Sequence, residues 1–160
     1  MSRHPIHCVS ENHAGNIIVN LASLPDFLRK PILKKRMEEF FSMNQPDREE
    51  IINNALAAGP TIPFPNFSKL FATWLEILAG LPEEKRAMMF GAYISEITKN
   101  PQKLVPFNLD GILEIFLSLD KPKQDAISNT IRSIVLAVPE ESKKRLFLVM
   151  PQSAKERLGI

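Results

Sequence analysis

Evenly placed prolines constrain this chain more than any other feature. Pro25, Pro46, Pro65, Pro82, Pro101, Pro122, Pro139 and Pro151 are separated by 21, 19, 17, 19, 21, 17 and 12 residues, and each stands at or near the start of a segment with helical apolar period. In the first turn of a helix a proline gives up an N–H that has no partner there. Deeper inside, it costs about 3 kcal/mol. The spacing predicts short helices of roughly three to four turns, hence an all-α fold of antiparallel helical hairpins: a short α-solenoid or an irregular bundle of seven or eight helices. Pro31 is the exception, and either kinks the first helix or starts a second segment.

The strongest hairpin runs from Asn66 to Lys99. Phe67, Leu70, Phe71, Trp74, Leu75, Leu78 and Leu81 form one stripe at steps of three and four. Pro82 breaks it, Glu83 and Glu84 suit the positive end of a new helix, and Met89, Phe90, Tyr93, Ile94 and Ile97 form the second stripe. Gly59 to Pro65 holds three prolines and reads as an extended connector. Asn108 is a good N-cap for the helix that follows it. Asn16 to Leu24 lacks a partner strand and reads as a short helix. Residues 1–24 therefore form a tail with a short packed segment, and residues 25–160 a single helical domain.

The hairpin recurs. Leu75-Glu76-Ile77 and Leu113-Glu114-Ile115 both run into a proline break, and Pro46, Pro82 and Pro122 stand 36 and 40 residues apart. In period and hairpin design residues 26 to 150 resemble the HEAT and armadillo type of α-solenoid, and that resemblance implies stacked hairpins exposing a groove for partner segments. Ile77 to Lys85 also looks like the Leu-Pro-x-Glu-Lys turns of the flagellar-switch and magnesium-transporter helical domains.

Composition removes several function classes. Apolar residues at 44% and charged residues at 24% exclude a disordered or collagen-like chain. The net charge of +2 does not by itself point to nucleic acid, although eight cations against four acids from Lys121 onward give the C-terminal quarter about +4. Cys8 has no second cysteine to pair with, the N-terminus lacks the layout of a secretory signal, and no apolar run could span a bilayer. The reading is a cytoplasmic protein without membrane insertion.

Three groups of residues are candidates for chemistry. His4, His7, Cys8 and His13 gather every histidine and the only cysteine within ten residues, a donor set suited to Zn or Cu. The spacing matches no known structural zinc pattern, and no third group is present to orient a Cys–His nucleophile. Lys143, Lys144, Arg145, Lys155 and Arg157 form a basic surface suited to an anionic partner such as nucleic acid. A second cluster, Arg29-Lys30 with Lys34-Lys35-Arg36, is followed by Glu38 and Glu39 and reads as a solvated face. Met88, Leu117, Leu148 and Val149 lie off the main stripes and suit a groove or self-association face.

The helical body has no histidine and no phosphate-cradling glycine loop. The expectation is a protein that is not an enzyme, a protein–protein interaction module. Metal binding through the N-terminal cluster and nucleic-acid binding through the C-terminal surface are the alternatives.

Overall fold

Helix starts fall on a grid. The computed structural model describes residues 13–160, among which there are nine α-helices and no strand. After α1 (His13–Ala22) come α2 (Asp26–Phe41), α3 (Gln45–Ala58), α4 (Phe64–Ala79) and α5 (Glu83–Lys99), and from α2 onward each begins nineteen residues after the one before. The start due at 102 is taken by a 3₁₀ turn, Pro101–Leu104, and the short α6 (Leu109–Leu117). The grid then resumes with α7 (Lys121–Ala137) and α8 (Glu140–Val149), before α9 (Gln152–Leu158) closes the chain.

This interval explains the uneven proline spacing. Pro25, Pro82 and Pro139 stand one residue before a helix, as N-caps with ψ near 150°, whereas Pro46, Pro65 and Pro122 occupy the second helical position. Both sites dispense with the proline N–H. A two-residue offset between them turns a constant interval into 21, 19 and 17.

A proline N-cap has no side-chain acceptor for the helix it opens, and it leaves the carbonyls ending the previous helix to be matched otherwise. Long side chains in the next first turn reach back to do this. Arg86 donates to Leu81 O at 2.7 Å, Leu78 O at 3.3 Å and Ala79 O at 3.4 Å. Arg29 donates to Leu21 O at 3.1 Å and also to Leu24 O. Gln124 donates to Leu119 O at 2.7 Å and Leu117 O at 3.1 Å. All three reach five residues back, and again seven or eight. At the two arginines a positive charge also meets the negative end of a helix dipole. Arg29 therefore leaves the solvated basic face expected for it: it is 2% exposed and paired with Asp26.

Helices pack mainly on those two places away. α1 lies on α3, α3 on α5 and α5 on α7, while α2 lies on α4 and α4 on α6. Crossing contacts of α4 with α1 and α7 join the two rows. The core runs from Leu21 to Leu146, with Ile52, Leu78, Ile127 and Val135 almost wholly enclosed.

Two polar networks tie neighbouring helices. Glu83 accepts from Arg86 at 2.8 Å and from Thr130 of α7 at 2.9 Å, and Arg86 Nε donates to Thr130 Oγ1 at 2.9 Å. Glu96, 6% exposed, accepts from Asn53 of α3 and from Lys99, each at 2.9 Å, and Lys103 donates to Asn53 Oδ1.

Local expectations fared unevenly. Asn108 caps α6 through Gly111 N at 3.0 Å. The Gly59–Pro65 connector is shorter than expected: Gly59–Thr61 is a 3₁₀ turn, and Phe64 and Pro65 already belong to α4, where Pro65 needs no donor. Pro31 neither starts a segment nor ends one. It lies exposed inside α2, on the solvent side, where water can serve the carbonyl left unmatched.

Arg86→Met keeps the apolar stem and removes the donors to Glu83, Thr130 and the carbonyls of Leu78, Ala79 and Leu81. We expect a loss of about 1–3 kcal/mol in urea unfolding, against less than about 0.5 kcal/mol for exposed Lys85→Met. Glu96 supplies a pH test. Burial by itself raises its pKa, but hydrogen bonds from Lys99 and Asn53 and the charges of Lys99 and Lys103 outweigh burial and hold the carboxyl below its ordinary value. The unfolded chain then binds the proton first as pH falls. The contribution is complete above the ordinary glutamate pKa of about 4.3 and is lost as pH falls through the lower folded value. Urea midpoints measured from neutral pH downward should show an acid limb that Glu96→Gln flattens.

Candidate functional site

Between the two rows of helices lies a cavity of about 760 Å³, partly open to solvent. Its walls follow from the stripes. The deepest residue of α4, Leu78, is sealed in the contact between helices, while Phe67, Leu70, Phe71 and Trp74 line the cavity. Phe90, Tyr93, Ile94 and Ile97 of α5 and Ile127, Ile131 and Val135 of α7 line it at the same three- and four-residue steps. Ile17 and Leu21 of α1 reach one end, Leu146 and Val149 of α8 the other. Folded interiors are close-packed, with few voids larger than a water molecule. A cavity of this size falls within the range of about 300–1,000 Å³ typical of ligand sites.

An aromatic ladder forms much of the wall. Phe67 and Phe71 stack with centroids 5.5 Å apart, Phe71 and Trp74 likewise at 5.5 Å, and Trp74 meets Tyr93 edge-on at 5.4 Å. Such ring pairs fix one another's orientation. Among the described residues neither the Trp74 indole N–H nor the Tyr93 hydroxyl has a hydrogen-bond partner. These two groups are polar handles in a mostly apolar wall. Burial pushes the Tyr93 phenol well above its ordinary pKa.

The two ends differ in charge. Near α2, the cation Arg36 is neutralised by Glu39 at 3.1 Å. At the C-terminal end the cavity shares Phe116, Ser128, Arg157 and Leu158 with a smaller recess of about 160 Å³, which Lys121, Asp125 and Arg132 also line. Lys121 is paired with Asp125 at 2.9 Å. Arg132 and Arg157 make no ion pair or hydrogen bond among the described residues, and a Cβ placed on Gly159 would come within 3.3 Å of the Arg132 guanidinium. Two unpaired cations thus flank this mouth.

The residues singled out in the sequence are scattered. His4, His7 and Cys8 lie outside the described residues, and His13 opens α1; among the described residues no three His, Cys, Asp or Glu side chains are grouped as metal ligands would be. Lys143 pairs with Glu140 at 3.3 Å, Arg145 donates to Ser142 at 3.4 Å, Lys155 lies over the Phe147 ring at 5.5 Å, and Lys144 is exposed. Arg157 is the member of that group that reaches the cavity. Of the apolar four, Val149 lines the cavity; Met88 is exposed beside Arg48, Leu148 is exposed on α8, and Leu117 is half-buried.

Sequence reasoning missed Arg132, although a signal was present. Arg29, Arg36, Arg86, Lys121 and Lys143 each have an acid three or four residues away and pair with it. Arg132 and Arg157 have no acid at those positions, so their charges stay unmatched on their own helices.

Tyr93 is the only tyrosine, so its titration can be read directly. Phenolate absorbance should develop near pH 10 in the urea-unfolded chain and well above that in the native protein. Because the folded phenol holds its proton longer, stability should fall as pH rises beyond about 10, and Tyr93→Phe should reduce that fall.

Comparison of the chain with protein-family models, with curated proteins and with solved structures gives no match, so the functional reading rests on the cavity and its charged mouth.

Proposed function

We propose that this chain is a non-catalytic binding protein, its ligand an elongated amphiphile with an anionic head, such as a long-chain fatty acid. The carrying observation is that the apolar cavity shares Phe116, Ser128, Arg157 and Leu158 with the adjoining recess that Arg132 also lines. An acyl chain suits the aromatic and aliphatic walls, and a carboxylate suits two guanidinium groups that have no protein partner.

The nineteen-residue interval and the packing of alternate helices support reading the scaffold as a short stack of hairpins, related in design to HEAT and armadillo repeats. Stacks of that kind commonly hold protein segments. Here the contacts of α4 with α1 and α7 bridge the two rows, and the cavity of about 760 Å³ between them is of small-molecule size. A thin chain fits better than a peptide helix. Binding of a small amphiphile replaces the protein–protein interaction role expected from the sequence.

Trp74 is the only tryptophan and lines the cavity, so binding can be followed without a label. Palmitate should change Trp74 emission saturably. In Arg132→Gln with Arg157→Gln, palmitate affinity should fall by about tenfold or more, the worth of charge-assisted hydrogen bonds, while methyl palmitate binds as before. Ala154→Leu, which fills cavity space, should weaken both. No saturable change with either molecule would overturn the proposal; undiminished palmitate affinity in the arginine variant would overturn the assignment of the head.

A further inference from the structure

The solvent side of α2 carries an apolar patch that its own fold does not use. Phe27 is 74% exposed, Leu28 41% and Ile32 38%. With exposed Pro31 they stand at i, i+1, i+4 and i+5, and so share one face of the first two turns. Leaving a phenylalanine this far in water forgoes most of its transfer free energy.

Cations frame the patch. Lys30, Lys34 and Lys35 are exposed and make no ion pair among the described residues. Asp26 is engaged by buried Arg29, and Glu39 by Arg36 at 3.1 Å. Glu38, one turn from Lys34 and Lys35, is the remaining exposed acid of the helix. The face is therefore apolar at its centre and positive around it. A second copy of the chain is a poor occupant, because closing a dimer on this face sets two lysine trios against each other. Nucleic acid would engage the lysines yet leave Phe27 and Ile32 unburied.

From this combination we infer that α2 is a peripheral docking face for an anionic bilayer surface. Phe27, Leu28 and Ile32 enter the boundary between headgroups and acyl chains, and Lys30, Lys34 and Lys35 contact lipid phosphates. No described helix is long and apolar enough to cross a membrane, so contact is confined to the surface. The inference is independent of the cavity, although a surface-bound protein would meet amphiphiles where they are concentrated.

Co-sedimentation of the full chain with vesicles tests it. Mixed phosphatidylcholine–phosphatidylserine vesicles should retain the protein, pure phosphatidylcholine vesicles should retain it weakly, and added salt should release it. Phe27→Ser with Ile32→Ser should lower the partition coefficient by at least tenfold. Substituting Lys30, Lys34 and Lys35 by Gln should lower it roughly fivefold per lysine. All these positions are exposed, so helical circular dichroism and the urea midpoint should stay at wild-type values.

Ala154→Leu should leave vesicle binding unchanged, which separates this face from the cavity. Equal retention of all variants, or no retention of the wild type, would overturn the inference. So would loss of vesicle binding in Ala154→Leu. Self-association abolished by Phe27→Ser would assign the patch to a second copy instead, and lysine-dependent retention on DNA without vesicle binding would assign it to nucleic acid.

Discussion

The architecture depends on how each helix ends. The backbone N–H groups of a proline break satisfy only part of the carbonyls around it, Leu81 N reaching Leu78 O and Leu24 N reaching Leu21 O, and an unmatched carbonyl in a buried turn costs about 1–3 kcal/mol. Arg29, Arg86 and Gln124 solve this from the following first turn, each donating five residues back and again seven or eight back. A side chain anchored at both ends of a turn fixes how one helix leaves the other. At Arg86 the anchoring extends through Thr130 to α7, so one guanidinium sets the relation of three helices.

Once the turns are fixed, the nineteen-residue interval repeats the same step, and the helices from α1 to α5 each meet the one two places along. That arrangement buries the backs of the apolar stripes and leaves their flanks facing across a gap. Leu78 has no exposure, while Trp74, one turn earlier on the same helix, lines the cavity. A single stripe therefore provides both a core and a wall. The buried arginines Arg29 and Arg86 serve as structural pins, and two cations without a partner among the described residues, Arg132 and Arg157, stand at the mouth.

Helical content, most helix starts and the Asn108 cap were legible because they rest on local chemistry: proline's missing donor, apolar period and side-chain caps. The regular interval was not, since prolines occupy either of two positions two residues apart and blur it. Arg29 was misread because neighbouring Lys30, Lys34 and Lys35 suggested one solvated cluster, whereas its fate is set by carbonyls of α1 and the turn, which helical periodicity does not register. The cavity was illegible for a deeper reason. Phe71, Trp74 and Tyr93 belong to the same stripes as the core residues, and spacing along a helix does not reveal how far away the opposite row lies. Only the cations at its mouth left a trace, in the missing acids around Arg132 and Arg157.

Where an acyl chain sits is the most direct question that can be put to the molecule. Intermolecular nuclear Overhauser effects between uniformly ¹³C-labelled palmitate and protein ring protons would answer it. A ligand seated between the rows predicts contacts from the chain methylenes to Trp74, Tyr93 and Phe71, with the carboxyl end nearest Arg132 and Arg157. Contacts confined to Phe27 and Ile32 on the outer face of α2, or none to any ring, would contradict it.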